Sequence, residues 1–334
     1  MSSSSNVGIV FTLIASCFYG FYPVYYKQLP DVPSFQLVCH RVVWSFLTLI
    51  PFLLWQVKWE TFRATAFKPK ALGIYLASGV CIVGFWCFLL WGIANDYIVE
   101  VSLGGFINPV FSVLLAVVVF KEKLRLLQWA SVVFALVGVL VIAIAYGRFP
   151  WLAICIGALL SFYGLFKRIA PLGPVEGVFI EMAWFTIPAI VAIIVFQVHG
   201  NGAFGHVGAT QDALLVVSGI VTIVPLMMLS RGAQLISFTL FGVIQYITPI
   251  LNFLVGTVIY HEPFSTSKMI GFILVWVALI VYTVEGIIVQ KRNAAAATTS
   301  SLEEKEEKEE SHDTDSVPQS PSSGFKAVDS PPPV

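Results

Sequence analysis

Ten apolar stretches follow one another along this chain, at about residues 7–26, 34–54, 71–94, 100–120, 127–146, 151–168, 175–198, 213–233, 239–260 and 268–289. Each has at most one interior charge, and short polar breaks separate them. A helix of roughly 20 apolar residues crosses the ~30 Å hydrocarbon core of a bilayer, where every backbone polar group must be satisfied inside the element. The pattern predicts an all-α integral membrane fold of ten transmembrane helices. With 57% apolar and 11% charged residues, the chain has too little polar surface for a soluble domain. The five cysteines (Cys17, Cys39, Cys81, Cys87, Cys155) lie inside apolar runs without CxxC spacing, which indicates neither disulfides nor a metal site. The N-terminus has no basic leader region, and its first apolar run is long enough to remain as a span.

Charge sets the expected orientation. With the N-terminus in the cytosol, the inner loops carry Lys58, Arg63, Lys68, Lys70, Lys121, Lys123, Arg125, Lys167, Arg168, Arg231, Lys291 and Arg292, against Lys27, Arg148 and Lys268 outside. By the positive-inside rule both termini are cytosolic, and Trp55, Trp59, Trp129 and Trp151 sit at span ends as headgroup-level anchors. Plasma membrane is the default location. Nine of the nineteen acidic residues fall in residues 293–334, a Ser/Pro-rich cytosolic tail with little to bury, which predicts disorder.

The body reads as a duplication. Laying 34–147 over 174–287 at a shift of 140 aligns Trp44 with Trp184, Gly79 with Gly219, Gly92 with Gly232, Pro109 with Pro249 and Glu122 with Glu262. At a shift of 144, Phe18-Tyr19-Gly20 meets Phe162-Tyr163-Gly164. Residues 1–147 and 148–292 are then two five-helix repeats. An odd number of spans per repeat inserts the second upside down, the arrangement of many secondary transporters with a site near the midplane.

Several stretches together resemble the RarD-type permeases of the EamA branch of the drug/metabolite transporter superfamily. They are His40-Arg41-Val42-Val43-Trp44-Ser45, residues 100–109 from Glu100 to Pro109, Phe162-Tyr163-Gly164, Glu181 with Trp184, Gly219 to Thr222 with Pro225, and Gln245-Tyr246 with Pro249. The resemblance covers roughly residues 7–292. It implies the ten-helix fold and permease activity, with relatives associated with chloramphenicol sensitivity or export of amino acids and similar metabolites. Two departures stand out: Gly105 replaces an expected bulkier aromatic residue, which suggests a reshaped pocket, and the acidic tail has no counterpart.

Ionisable side chains within a bilayer cost a few kcal/mol, so each needs a reason. Arg41 lies seven residues into span two from outside and Glu181 six into span seven from inside, each about 10 Å deep. They are repeat-equivalent, and as a pair they would offer opposite charges to a zwitterionic or charged substrate, with His40 as a titratable neighbour. The alternatives are that Arg41 snorkels outward and that Glu181 is neutralised by protonation or by a neighbouring helix. Pro109 and Pro249 each remove a backbone donor within a span and are expected helix breaks. Ser102 and Asn108 in span four, and Gln245, Tyr246, Thr248 and Asn252 in span nine, are then candidate cavity-lining residues, the alternative being interhelical packing bonds. Asp96 and Glu100 sit at an outer hairpin, Glu122 and Glu262 in loops, and His199 and His206 in a solvated outer loop.

No nucleotide-binding, HExxH or GxSxG sequence is present, so the reading is a secondary transporter without cofactor or catalytic residues, with a non-transporting receptor or scaffold as its competitor. Expected partners are a small-molecule substrate and the lipid bilayer, with no nucleic acid. A coupling proton or ion is a further candidate, and a kinase or adaptor could act on the tail at Ser320-Pro321 or Ser330-Pro331.

Overall fold

The computed structural model describes residues 3–57, 59–95 and 97–260, with scattered positions between 269 and 288. Residues Met1–Tyr282 form one compact unit and Thr283–Val334 a second. The described residues are helical and connecting in character, in eleven α-helices: α1 (Ser3–Tyr26), α2 (Ser34–Gln56), α3 (Trp59–Ala66), α4 (Pro69–Ala94), α5 (Ile98–Val118), α6 (Leu126–Tyr146), α7 (Trp151–Ile169), α8 (Pro174–Val198), α9 (Ala209–Leu235), α10 (Phe238–Ile244) and α11 (Ile247–Leu254). A π-helical turn, Val255–Ile259, continues α11.

Eight segments are long and apolar enough to cross a membrane: α1, α2, α4, α5, α7, α8, α9 and the run Phe238–Ile259 that joins α10 and α11. In α6 the apolar stretch is shorter, Leu126–Val141. Of the tenth expected span, the described positions between 269 and 288 are helical. Lys58, Asp96, Glu262, Lys268, Lys291, Arg292 and the tail 293–334 lie outside the described residues. The protein is a multi-pass integral membrane protein. On α8, Ile187, Val191, Ile194 and Val198 are exposed at helical spacing, a stripe suited to lipid, and the four predicted anchors Trp55, Trp59, Trp129 and Trp151 are likewise exposed.

Helix α3 was not legible as an apolar run. It is short and two-sided: Phe62 and Ala66 are buried with Tyr75 and Leu172, while Trp59 is exposed beneath Arg63. Such a helix lies along an interface and does not span it.

Packing runs mainly between the first and second halves. Helix α1 lies along α9 as α7 lies along α4; α1 contacts α11 as α7 contacts α5. Helix α2 packs between α8 and α9, and α8 between α2 and α4, while α5 contacts α10. Exchanging α1 with α7, α2 with α8, α4 with α9 and α5 with α10–α11 maps this set of pairings onto itself. Glycines permit the close approaches. A β-carbon on Gly219 would lie 2.5 Å from the Trp44 backbone, and one on Gly79 would lie 2.7 Å from the Phe185 ring. At Gly92 it would meet Leu152 at 2.7 Å, and at Gly232 the Gly8 carbonyl at 3.2 Å. Residues 8 and 152 are 144 apart, the same shift that aligns the first spans.

Prolines act unequally. Helix α5 runs unbroken through Pro109, contrary to the expected break. Gly104 against Ile156 and Gly157 against Ile107 clamp α5 onto α7 on the N-terminal side of the proline, which holds the helical path. Span nine does break. Pro249 cannot donate to the Gln245 carbonyl and its ring would clash with it, so that carbonyl accepts from Thr248 N at 3.1 Å and α11 starts afresh at Ile247.

Candidate functional site

Two buried charges organise the interior. Arg41 on α2 is 1% exposed, and its guanidinium lies over three rings: Trp86 of α4 at 4.2 Å, Tyr26 of α1 at 5.0 Å and Tyr22 of α1 at 5.6 Å. Its Nε donates to Thr222 Oγ1 of α9 at 3.2 Å, and its Nη2 has no protein acceptor within reach. Tyr22 is anchored by donation from its hydroxyl to Val221 O at 2.8 Å. The box arises because Tyr19, Tyr22 and Tyr26 fall on one face of α1 at spacings of three and four residues, with Tyr19 and Tyr22 ring centroids 5.0 Å apart. Arg41 does not snorkel outward; it is enclosed.

Glu181 on α8 is 0% exposed and forms an ion pair with Lys167 Nζ of α7 at 2.6 Å; Lys167 is 1% exposed. The Tyr163 ring lies 5.3 Å from the ammonium, and Ser78 of α4 borders the carboxylate. This corrects the assignment of Lys167 to an inner loop. The residue precedes the end of α7 by two positions and points inward, one turn below Tyr163. It also changes the expectation that Arg41 and Glu181 present opposite free charges, because Glu181 already has its counter-ion. The surroundings of the two residues match: α1 and α9 clasp Arg41, while α7 and α4 clasp Glu181.

A second polar cluster lies where α5, α7 and α10 meet. Asn108 Nδ2 donates to Gln245 Oε1 at 3.1 Å, and Ser161 Oγ donates to Asn108 O at 2.8 Å or to its Oδ1 at 3.0 Å. Ser112 Oγ reaches Asn108 Oδ1 at 3.5 Å. Gln245 stands in the break between α10 and α11, four residues before Pro249, with its side chain on Asn108. Tyr246 is buried beside it, lining a small cavity with Pro109, Val110 and Val243, and its hydroxyl has no protein partner. Ser102 and Asn252 do not join: both are exposed. Each sits on the outer side of a helix whose opposite face carries the packing. A β-carbon on Gly105 would touch only Pro249, at 3.8 Å, so the position where a bulkier residue was expected is open toward α11.

His40 is buried and stacks on Phe204, ring centroids 5.5 Å apart, at a cavity of about 200 Å³ lined also by Trp44, Ile190 and Ile194. The loop that carries Phe204, expected to be solvated, is therefore only partly so. Gln36 grips it, donating to Asn201 O at 2.7 Å and accepting from Ala203 N at 2.8 Å, while His199 and His206 are exposed.

Two carboxylates expected to sit idle at span ends instead cap helices. Glu100, 1% exposed, accepts from Leu152 N at 2.9 Å at the start of α7. Glu122 accepts from Phe238 N at 2.7 Å, Thr239 N at 3.1 Å and Thr239 Oγ1 at 2.7 Å at the start of α10. Both neutralise the positive end of a helix. Arg168 does the reverse for α9, donating to the carbonyls of Ala233 (2.9 Å) and Ile236.

Comparison with known proteins agrees with this architecture. Residues 6–144 match the EamA-like transporter family. An uncharacterized transporter of Bacillus subtilis, YojE, is 32% identical over 285 residues, covering 84% of this chain and 95% of the relative. The chain belongs to the EamA-like transporter family. Within it the chain is of RarD type: Protein RarD of Escherichia coli is 30% identical over 293 residues, 88% of this chain and 99% of the relative. Protein RarD of Streptomyces exfoliatus is also 30% identical, covering 88% and 93%. A solved crystal structure shares the fold at a TM-score of 0.65 and 19% identity, covering 85% of this chain and 98% of its own. As an EamA-like protein, the chain is a membrane transporter of the drug/metabolite superfamily. Sequence reading missed Tyr22, Tyr26, Trp86, Thr222, Ser161 and Lys167 as site residues. The tyrosine spacing in α1 was the one signal available for the box; Lys167 was masked by its position beside Arg168.

Proposed function

We propose that this EamA-like protein is a secondary transporter that carries small metabolites or drugs by alternating access between two inverted five-helix halves, residues 1–147 and 148–292. One observation carries the reading. Two ionisable side chains aligned by the 140-residue shift, Arg41 and Glu181, are both buried and are clasped by helix pairs that exchange with one another. A carrier whose halves rock about a central site needs such duplicated packing, because the contacts closing one side must have counterparts closing the other. The chamber comprises Arg41 with its aromatic box, His40 at its outer edge, and the Asn108–Gln245 cluster with Tyr246. Ser102 and Asn252 are peripheral to it. Both termini are assigned to the cytosol and the protein to the plasma membrane, with a proton or ion as coupling partner and the tail as the site for a kinase or adaptor.

Amino acids and amphenicol-like compounds are the substrate classes to test first. A relative 26% identical over 280 residues, from Pseudomonas aeruginosa, bears the name chloramphenicol-sensitive protein RarD. The test is flux into liposomes containing the purified protein. Saturable uptake that is accelerated by substrate on the far side is expected; specific binding without flux would make the protein a receptor, and product formation an enzyme. Labelling that placed the two termini on opposite sides would end the inverted-repeat reading.

A further inference from the structure

We propose that the Arg41 chamber selects small organic anions, a carboxylate on a flat apolar body, over zwitterions, neutral compounds and cations; this rests on the transporter reading above. A guanidinium keeps its proton at any physiological pH, so the chamber carries a permanent positive charge inside the bilayer. Neutral groups surround that charge: the faces of Trp86, Tyr26 and Tyr22, and the Thr222 hydroxyl. Within the compact unit, the described residues include two buried carboxylates, Glu100 and Glu181. Glu100 is engaged by the amide of Leu152 and Glu181 by Lys167 at 2.6 Å, so neither balances Arg41.

Among the described residues of this unit neither buried carboxylate pairs with Arg41, so a ligand carboxylate can supply the balancing charge. Among the described residues Arg41 Nη2 has no acceptor, and a carboxylate accepting from it would gain a charge-assisted bond in a site with little water to compete. Selection against zwitterions follows from the other buried charge. A ligand ammonium needs an acidic partner, and the equivalent position, Glu181, is already neutralised within its own repeat. The ring faces of Trp86, Tyr26 and Tyr22 favour a planar body next to the carboxylate.

The test uses full-length protein in proteoliposomes and matched probes: benzoate, phenylacetate and 3-phenylpropionate, their three amides, phenylalanine, benzylamine and chloramphenicol. Each is assayed for saturable uptake and for thermal stabilisation of the detergent-solubilised protein. At least one acid should be transported and should be preferred at least tenfold over its amide, over phenylalanine and over benzylamine. Arg41→Gln should abolish that preference and Arg41→Lys should retain part of it. The wild-type series decides the matter even where Arg41→Gln does not fold. Saturable uptake of chloramphenicol or phenylalanine with no response to any of the acids would overturn the anion assignment and leave the transporter reading intact. Acid-dependent stabilisation that Arg41→Gln removes, without flux of any probe, would support the anion site and overturn alternating access. No stabilisation and no flux with any of the acids would overturn the proposal.

Discussion

Lys167→Met and Glu181→Gln, separately and together, test whether the buried ion pair holds α7 to α8 or is tolerated there. At 2.6 Å and an effective dielectric near 20, the attraction is about 6 kcal/mol. Removing each ion from water costs several kcal/mol, so the intact pair is close to break-even against apolar neighbours of the same volume. Removing one partner is different: the remaining charge is buried at 0–1% exposure, with the neutral hydroxyls of Ser78 and Tyr163 beside it. Each single variant should lose about 3–5 kcal/mol. The double variant should return to within about 1 kcal/mol of the parent, giving a coupling energy nearly as large as the two single losses combined. Unfolding of the purified protein in mixed micelles, titrated with a denaturing detergent, measures all four forms. Single losses under about 1 kcal/mol would show that water reaches the pair, and a double loss equal to the sum of the singles would show that Lys167 and Glu181 act on different partners. Either result refutes the argument.

Three further outcomes follow from the packing. Gly219→Ala should destabilise by about 1–3 kcal/mol, because the new methyl meets the Trp44 backbone at 2.5 Å, whereas Gly73→Ala, with nothing within 4 Å, should be neutral or stabilising by up to about 1 kcal/mol in the same unfolding assay. Glu122→Ala should cost about 1–2 kcal/mol by uncapping α10, with Glu122→Gln losing less since its amide oxygen still accepts; hydrogen exchange at Phe238 and Thr239 should rise first. Asn108→Leu should cost about 1–3 kcal/mol by stranding Gln245, while Ser161 keeps the Asn108 and Gly157 carbonyls as acceptors, and a paired Gln245→Leu should recover part of it; an additive double loss would mean that the two side chains do not interact.

The membrane fold was legible in the sequence because the bilayer imposes so few solutions: apolar runs of sufficient length become helices wherever they fall. Family membership was legible in short stretches such as 40–45 and 100–109. Harder to see were the features for which linear position misleads. Lys167 looked like a loop cation because it is followed by Arg168, yet helical phase turns one inward to Glu181 and the other toward the end of α9. Glu100 and Glu122 looked free at span ends, and were instead claimed by helix N-termini that lie 52 and 116 residues away in sequence. Ser102 and Asn108 share a helix, but six residues at 100° each put them on different faces, and only Asn108 meets the interior.

Pro109 and Pro249 show the division most directly. Both residues are the same, and the 140-residue shift aligns them. One helix continues through its proline while the other breaks ahead of it, since α5 is clamped by α7 and span nine is free to restart at Ile247. Hydrophobic length, charge asymmetry and the aligned glycines and tryptophans were properties of the chain by itself, because they depend on solvent preference and on residue size. Which charge would be left without a counter-ion was decided only in three dimensions. Arg41 and Lys167 are both buried cations, and a single carboxylate within reach of Lys167 leaves Arg41 enclosed by aromatic rings.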